Sequence, residues 1–130
     1  MGEYTETMTK GTVSVLLFLC IIFPSIPLAG EADVTAVDVK KSGDNRYHFD
    51  VTLIHRDEGW DHYADKWEVI GPDGSVLGTR TLYHPHVDEQ PFTRSLSGVK
   101  IPGDVRRVTI RAHDSIHNYG GVTKSVELPK

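Results

Sequence analysis

Histidine is the residue of this sequence with the most chemistry to offer: the chain carries seven, in 130 residues with one Cys and two Met. Six of the seven fall in three short polar segments, 55–62, 83–90 and 113–120. Neutral imidazole is the commonest protein ligand for first-row divalent cations, and three or four such donors at about 2.0 to 2.1 Å make a site. His84 and His86 flank Pro85, so an extended backbone directs both imidazoles the same way. His113 and His117 bracket Asp114, and His62 comes from a third segment. The expected ligand set is therefore His62, His84, His86, His113, Asp114 and His117, with Zn²⁺ or Cu²⁺ as the ion. Met1, Met8 and Cys20 all lie near the N-terminus, so the remainder holds no sulfur ligand, which disfavours Cu(I) and blue-copper sites. No HExxH or CxxC pattern accompanies the histidines.

Two histidines are expected to stand apart. His48 lies on the solvent face of its strand, far from the three segments. His55 shares the parity of core residues, which predicts a buried, hydrogen-bonded imidazole at the core edge rather than a ligand. Asp57, Glu58, Asp61, Asp65, Asp88, Glu89 and Asp114 also suggest Ca²⁺, which takes six to eight oxygens, but the stepped Asp-x-Asp-x-Asp-Gly loop is missing. Trp60 and Tyr119 are the candidate partner-contact aromatics, while Tyr63, Tyr83 and Phe92 are expected to cap the core.

These loops need a rigid scaffold, and short alternating segments between turn signals provide one. Strands are expected at 34–40, 46–55, 63–70, 75–83, 92–99, 107–113 and 122–128. The clearest alternates Tyr47, Phe49, Val51 and Leu53 with His48, Asp50 and Thr52; in another, Trp67 and Val69 point inward. If each strand reverses the one before it, the three histidine segments gather at one end. The turns 42–45, 71–74 and 102–104 gather at the other. The expected fold is all-β, a seven-stranded sandwich over residues 33–130.

The strand order, Trp67, and the run Ser95-Leu96-Ser97-Gly98-Val99-Lys100-Ile101-Pro102-Gly103 leading into Val108–Ala112 resemble fibronectin type III and related immunoglobulin-like modules. Where such modules carry an aromatic residue just after the Pro-Gly corner, this chain has Arg106. The resemblance implies the architecture and assigns no functional residue.

Ahead of the sandwich, the apolar run Val13–Phe23 is followed by Pro24, Pro27 and the small residues around Gly30 and Ala32, the pattern of a secretory signal peptide over residues 1–32. A membrane span needs roughly 20 apolar residues, so no span is expected after cleavage. Cleavage is expected after Ala32, leaving a periplasmic or extracellular domain. Cys20 follows Leu19 rather than a small residue and does not read as an acylation site. With 14 basic and 18 acidic side chains and no basic stripe, nucleic acid is not an expected partner. A non-enzymatic Zn²⁺ or Cu²⁺ binding protein is the leading expectation. The alternative is an adhesion or assembly module that meets a protein partner through the same loops without metal.

Overall fold

The computed structural model describes Gly2 and residues 30–130. The expected signal peptide therefore lies outside the described residues apart from Gly2 and residues 30–32, and with it Cys20. Among the described residues no helix is long and apolar enough to cross a membrane.

The fold is all-β, with seven strands in two sheets: β1 (Asp33–Gly43), β2 (Arg46–Ile54), β3 (Ala64–Ile70), β4 (Val76–Thr81), β5 (Phe92–Lys100), β6 (Arg107–Asp114) and β7 (Lys124–Glu127). One sheet has the order β1-β2-β5 and the other β4-β3-β6-β7, with every pairing antiparallel. This is the seven-stranded sandwich that the alternation predicts, with the immunoglobulin-like arrangement that the resemblance implies.

Period-2 alternation decides which residues fill the space between the sheets. In β2, Tyr47, Phe49, Val51 and Leu53 are buried, and in β6 Val108, Ile110 and Ala112 are. Trp67 and Val69 of β3 complete the centre, both fully inaccessible. The inward parity does not stop where the apolar residues stop. It carries His55 beyond the end of β2, and Asp114 at the end of β6, into the same interior, so the core ends in polar side chains.

Two expectations need correction. Tyr83 does not cap the core: it is 77% exposed, because Leu82 takes the inward position and its amide bonds the Asp65 carbonyl at 2.8 Å, which turns the next side chain outward. Phe92 is buried as expected. The last strand is shorter than 122–128, since Val122 instead receives the Val34 amide at 2.8 Å and lies against the start of β1.

Candidate metal centre

Antiparallel order brings the ends of β2 and β6 and the start of β3 to one pole, where the three histidine segments meet. A register shift between Ala64 and Lys66 re-aims the start of β3. Asp114 is the hub. Its side chain is fully buried, and its Oδ2 stands 2.9 Å from His55 Nε2, 2.9 Å from His62 Nε2 and 3.1 Å from His117 Nδ1. Its Oδ1 accepts the amides of Ile116, at 3.0 Å, and His117. Burial alone would raise this carboxyl, but the His117 amide and the three imidazoles hold it well below the ordinary carboxylate range.

Behind His55 stands a second buried carboxylate. Asp57 Oδ1 bonds His55 Nδ1 and accepts the Ala64 amide at 3.1 Å, while Oδ2 accepts the His86 amide at 2.6 Å. Desolvation would raise Asp57, and these bonds override it, so its pKa is lowered. The reverse holds for His55: burial would lower its pKa, but Asp57 and Asp114 raise it. With Nδ1–H pinned by Asp57, His55 Nε2 faces only oxygens, so that nitrogen carries either a proton or a cation. A carboxylate behind a histidine, fixing the tautomer of the ligating nitrogen, is the usual support of a metal-binding imidazole.

Ligand atoms of His55, His62 and Asp114 lie within 4.8 Å of one another, and all three residues are buried. Donors about 2.0 to 2.1 Å from a tetrahedral ion stand roughly 3.3 Å apart. The 2.9 Å contacts around Asp114 Oδ2 would open by only a few tenths of an ångström to admit one. This group can hold a metal.

The structure does not bring every expected ligand here. His62, Asp114 and His117 converge. His113, next to Asp114 on a strand, faces the other side of the sheet, where it bonds Asp65 Oδ1 at 2.5 Å and Asn118 Oδ1 at 3.1 Å. His84 is exposed, its Nδ1 3.1 Å from the Pro85 carbonyl oxygen. His86 lies near His84, with ring centroids 4.6 Å apart, but stacks flat on Phe92 at 4.0 Å. Both of its ring nitrogens lack a hydrogen-bond partner among the described residues, and burial is the first cause lowering its pKa, followed by Arg94 and His84. It supports the site through its amide on Asp57. His48 pairs with Asp50 and Ser97 on the open face of β2, outside the site as expected.

His55 is buried and hydrogen-bonded, as its parity implies, yet the same parity puts its Nε2 beside Asp114. Asp57 was expected only as one of seven carboxylates for Ca²⁺; the clue to its position is the His55-x-Asp57 spacing, which repeats the inward period. Of the aromatics, Trp60 is 68% exposed, with its ring edge-on to Tyr63 at 5.7 Å. Tyr119 is less free: the Arg111 guanidinium lies 3.9 Å from its ring centroid.

No family model matches the chain. A protein of Halomicrobium mukohataei named "Putative lipoprotein" is 41% identical over 97 residues, which is 75% of this chain and 47% of that protein. The chain thus spans about half the length of the curated relative it matches. Among solved structures, superoxide reductase in the oxidised state is similar with a TM-score of 0.41 at 14% identity, over 78% of this chain and 92% of that one.

Proposed function

We propose that this chain is an exported β-sandwich that binds a first-row divalent cation, Zn²⁺ or Cu²⁺, on His55, His62 and Asp114, with His117 as the fourth donor. The observation that carries the reading is the convergence of three imidazole nitrogens on one buried carboxylate oxygen, with Asp57 fixing the tautomer of His55 from behind. Imidazole donors suit Zn²⁺ and Cu²⁺, whereas Ca²⁺ needs six to eight oxygens, and Asp57 and Asp114 already serve imidazoles and amides. Three imidazoles and one carboxylate oxygen make a nitrogen-rich donor set of the kind that holds Zn²⁺ or Cu²⁺. Export is supported by the short apolar run ahead of the domain and by the name of the relative; the reading has the domain act in the periplasm or outside the cell.

Calorimetric titration with Zn²⁺, Cu²⁺ and Ca²⁺ tests this. Zn²⁺ or Cu²⁺ should bind at neutral pH with a Kd well below about 0.1 mM, His62→Ala should weaken binding at least about tenfold, and binding should fade as pH falls through about 6.5. No transition-metal affinity tighter than about 0.1 mM overturns the reading. The exposed Trp60 would then carry the other one, a contact surface for a protein partner.

A further inference from the structure

The chain that leads into β1 is built into the metal-binding pole. Gly30 sets its carbonyl oxygen 3.0 Å from His55 Nε2, matching the 2.9 Å of Asp114 Oδ2. Two oxygens from opposite ends of the described chain therefore meet at the same nitrogen. The contact is held from outside. Ala32 is buried, Asp33 Oδ1 accepts the Val122 amide at 2.7 Å, and the Val34 amide bonds the Val122 carbonyl at 2.8 Å.

Residues 30–32 also run across Gly120 and Gly121, and beside Gly121 their backbone leaves no room for a side chain. A Cβ on Gly121 would collide with the Ala32 carbonyl oxygen, whereas one on Gly120 would meet only the exposed Glu31 side chain, which can swing aside. Gly121 has no positive φ, so close approach, not backbone conformation, explains it.

We infer that Gly30 supplies a further donor to the cation site, its backbone carbonyl oxygen, and that the close approach at Gly121 seats residues 30–32 so that this oxygen faces the ion on His55 Nε2. The inference rests on the cation-binding reading above. A carbonyl adds a neutral donor, so the charge balance of a divalent ion against Asp114 is unchanged. Linkage makes the effect reciprocal: a cation that bonds Gly30 holds the lead-in on the domain, and displacing the lead-in weakens the cation by the same factor. The inference therefore requires a functional chain that keeps Gly30, in place of the cleavage after Ala32 that the sequence suggests, and the burial of Ala32 against the domain supports that.

Amide hydrogen exchange on the full-length chain, with and without Zn²⁺, tests the inference. Zn²⁺ should slow exchange at Glu31, Ala32 and Asp33 by about tenfold or more, while the distant turn 71–74 changes little. Gly121→Ala, which pushes the Ala32 carbonyl away, should weaken Zn²⁺ about tenfold and abolish that local protection. If calorimetry shows Zn²⁺ binding but exchange at 31–33 is unaltered, the inference is overturned and the cation site stands. Protection that survives Gly121→Ala with unchanged affinity overturns the seating at Gly121. If Zn²⁺ does not bind at all, the site and the inference fall together. Should Gly121→Ala fail to fold, exchange in the unaltered chain decides.

Discussion

The two ends of the sandwich solve the same problem in opposite ways. At the turn end the backbone satisfies itself. Gly71 receives the Gly74 amide at 3.0 Å, its own amide bonds the Ser75 carbonyl at 2.9 Å, and Val105 bonds Pro102 at 3.0 Å. Such turns are short enough to close their own hydrogen bonds and need no buried charge. The connections at the histidine end are longer and close on themselves only in part, through Glu58 with His62 and Asp114 with Asn118. Amides of Ala64, His86, Ile116 and His117 go instead to two buried carboxylates, Asp57 and Asp114. A buried carboxylate with only a few amides is costly, and imidazoles supply its remaining donors. The same residues thus order three loops and assemble the proposed ligand cluster, so a substitution there should move stability and cation affinity together.

The largest effects should separate the interior from the rim of the site. Trp67→Ala should cost about 3 to 5 kcal/mol in urea denaturation, as for other buried tryptophans. Trp60→Ala, at a side chain 68% exposed, should stay within about 0.5 kcal/mol. Comparable losses at both positions would contradict the inward phase of β3. Between the poles, Asp114→Ala should destabilise by roughly 3 to 5 kcal/mol, since it strands three imidazoles and two amides, and should abolish Zn²⁺ binding. Asp73→Ala removes only the turn bonds to the Ser75 amide, at 3.0 Å, and hydroxyl, at 2.6 Å, and should leave Zn²⁺ binding untouched. An Asp114→Ala protein as stable as the Asp73→Ala one would show that the carboxylate hub does not hold the loops.

The fold was legible because alternation is a local signal: Tyr47, Phe49, Val51 and Leu53 state their phase without reference to any other strand. Topology alone then gathers six histidines at one end. Which of them converge was less legible, because it depends on parity at strand ends. Asp114, fully buried, directly follows His113, which faces the opposite side of the sheet. The His84-Pro85-His86 spacing pointed to paired ligands, but stacking on Phe92 takes one ring into an apolar contact and leaves the other in solvent. His55 shows the converse. Core parity and the proposed ligand position coincide, because here the core ends in polar groups.

Titration should expose the same contrast at intermediate size. Asp57 and Asp114 are held below the ordinary value of 3.8, so their contribution is complete above that pH and is lost as pH falls through their folded-state values. His55 is raised above 6.5, so its contribution is complete below 6.5 and is lost as pH rises through its folded-state value. The cation-free domain should therefore melt highest between about pH 4 and 6.5. Saturating Zn²⁺, taking the place of the Nε2 proton, should remove the decline on the alkaline side. A cation-free melting temperature that climbs steadily from pH 6 to 9 would contradict the paired-carboxylate environment of His55.

The smallest expected effect gives the finest comparison, because each end carries one asparagine in the left-handed region: Asn45 at φ 54° and Asn118 at φ 58°. Asparagine tolerates this conformation and alanine does not, so each Asn→Ala change should cost about 1 kcal/mol in backbone strain alone. Their consequences for the cation should differ. Asn45 receives the Ile101 amide at 2.8 Å, far from any ligand. Asn118 exchanges backbone hydrogen bonds with Asp114, at 3.1 Å and 3.2 Å, and its Oδ1 lies 3.1 Å from His113 Nε2. Strain at position 118 is therefore transmitted to the Asp114 backbone and to the loop that carries His117. Asn118→Ala should weaken Zn²⁺ severalfold and Asn118→Gly, which relieves the strain, should recover most of the affinity, while Asn45→Ala leaves it unchanged. Equal Zn²⁺ affinities for Asn45→Ala and Asn118→Ala would mean that the ligand cluster tolerates backbone displacement at Asp114, and that its geometry is set by the imidazoles alone.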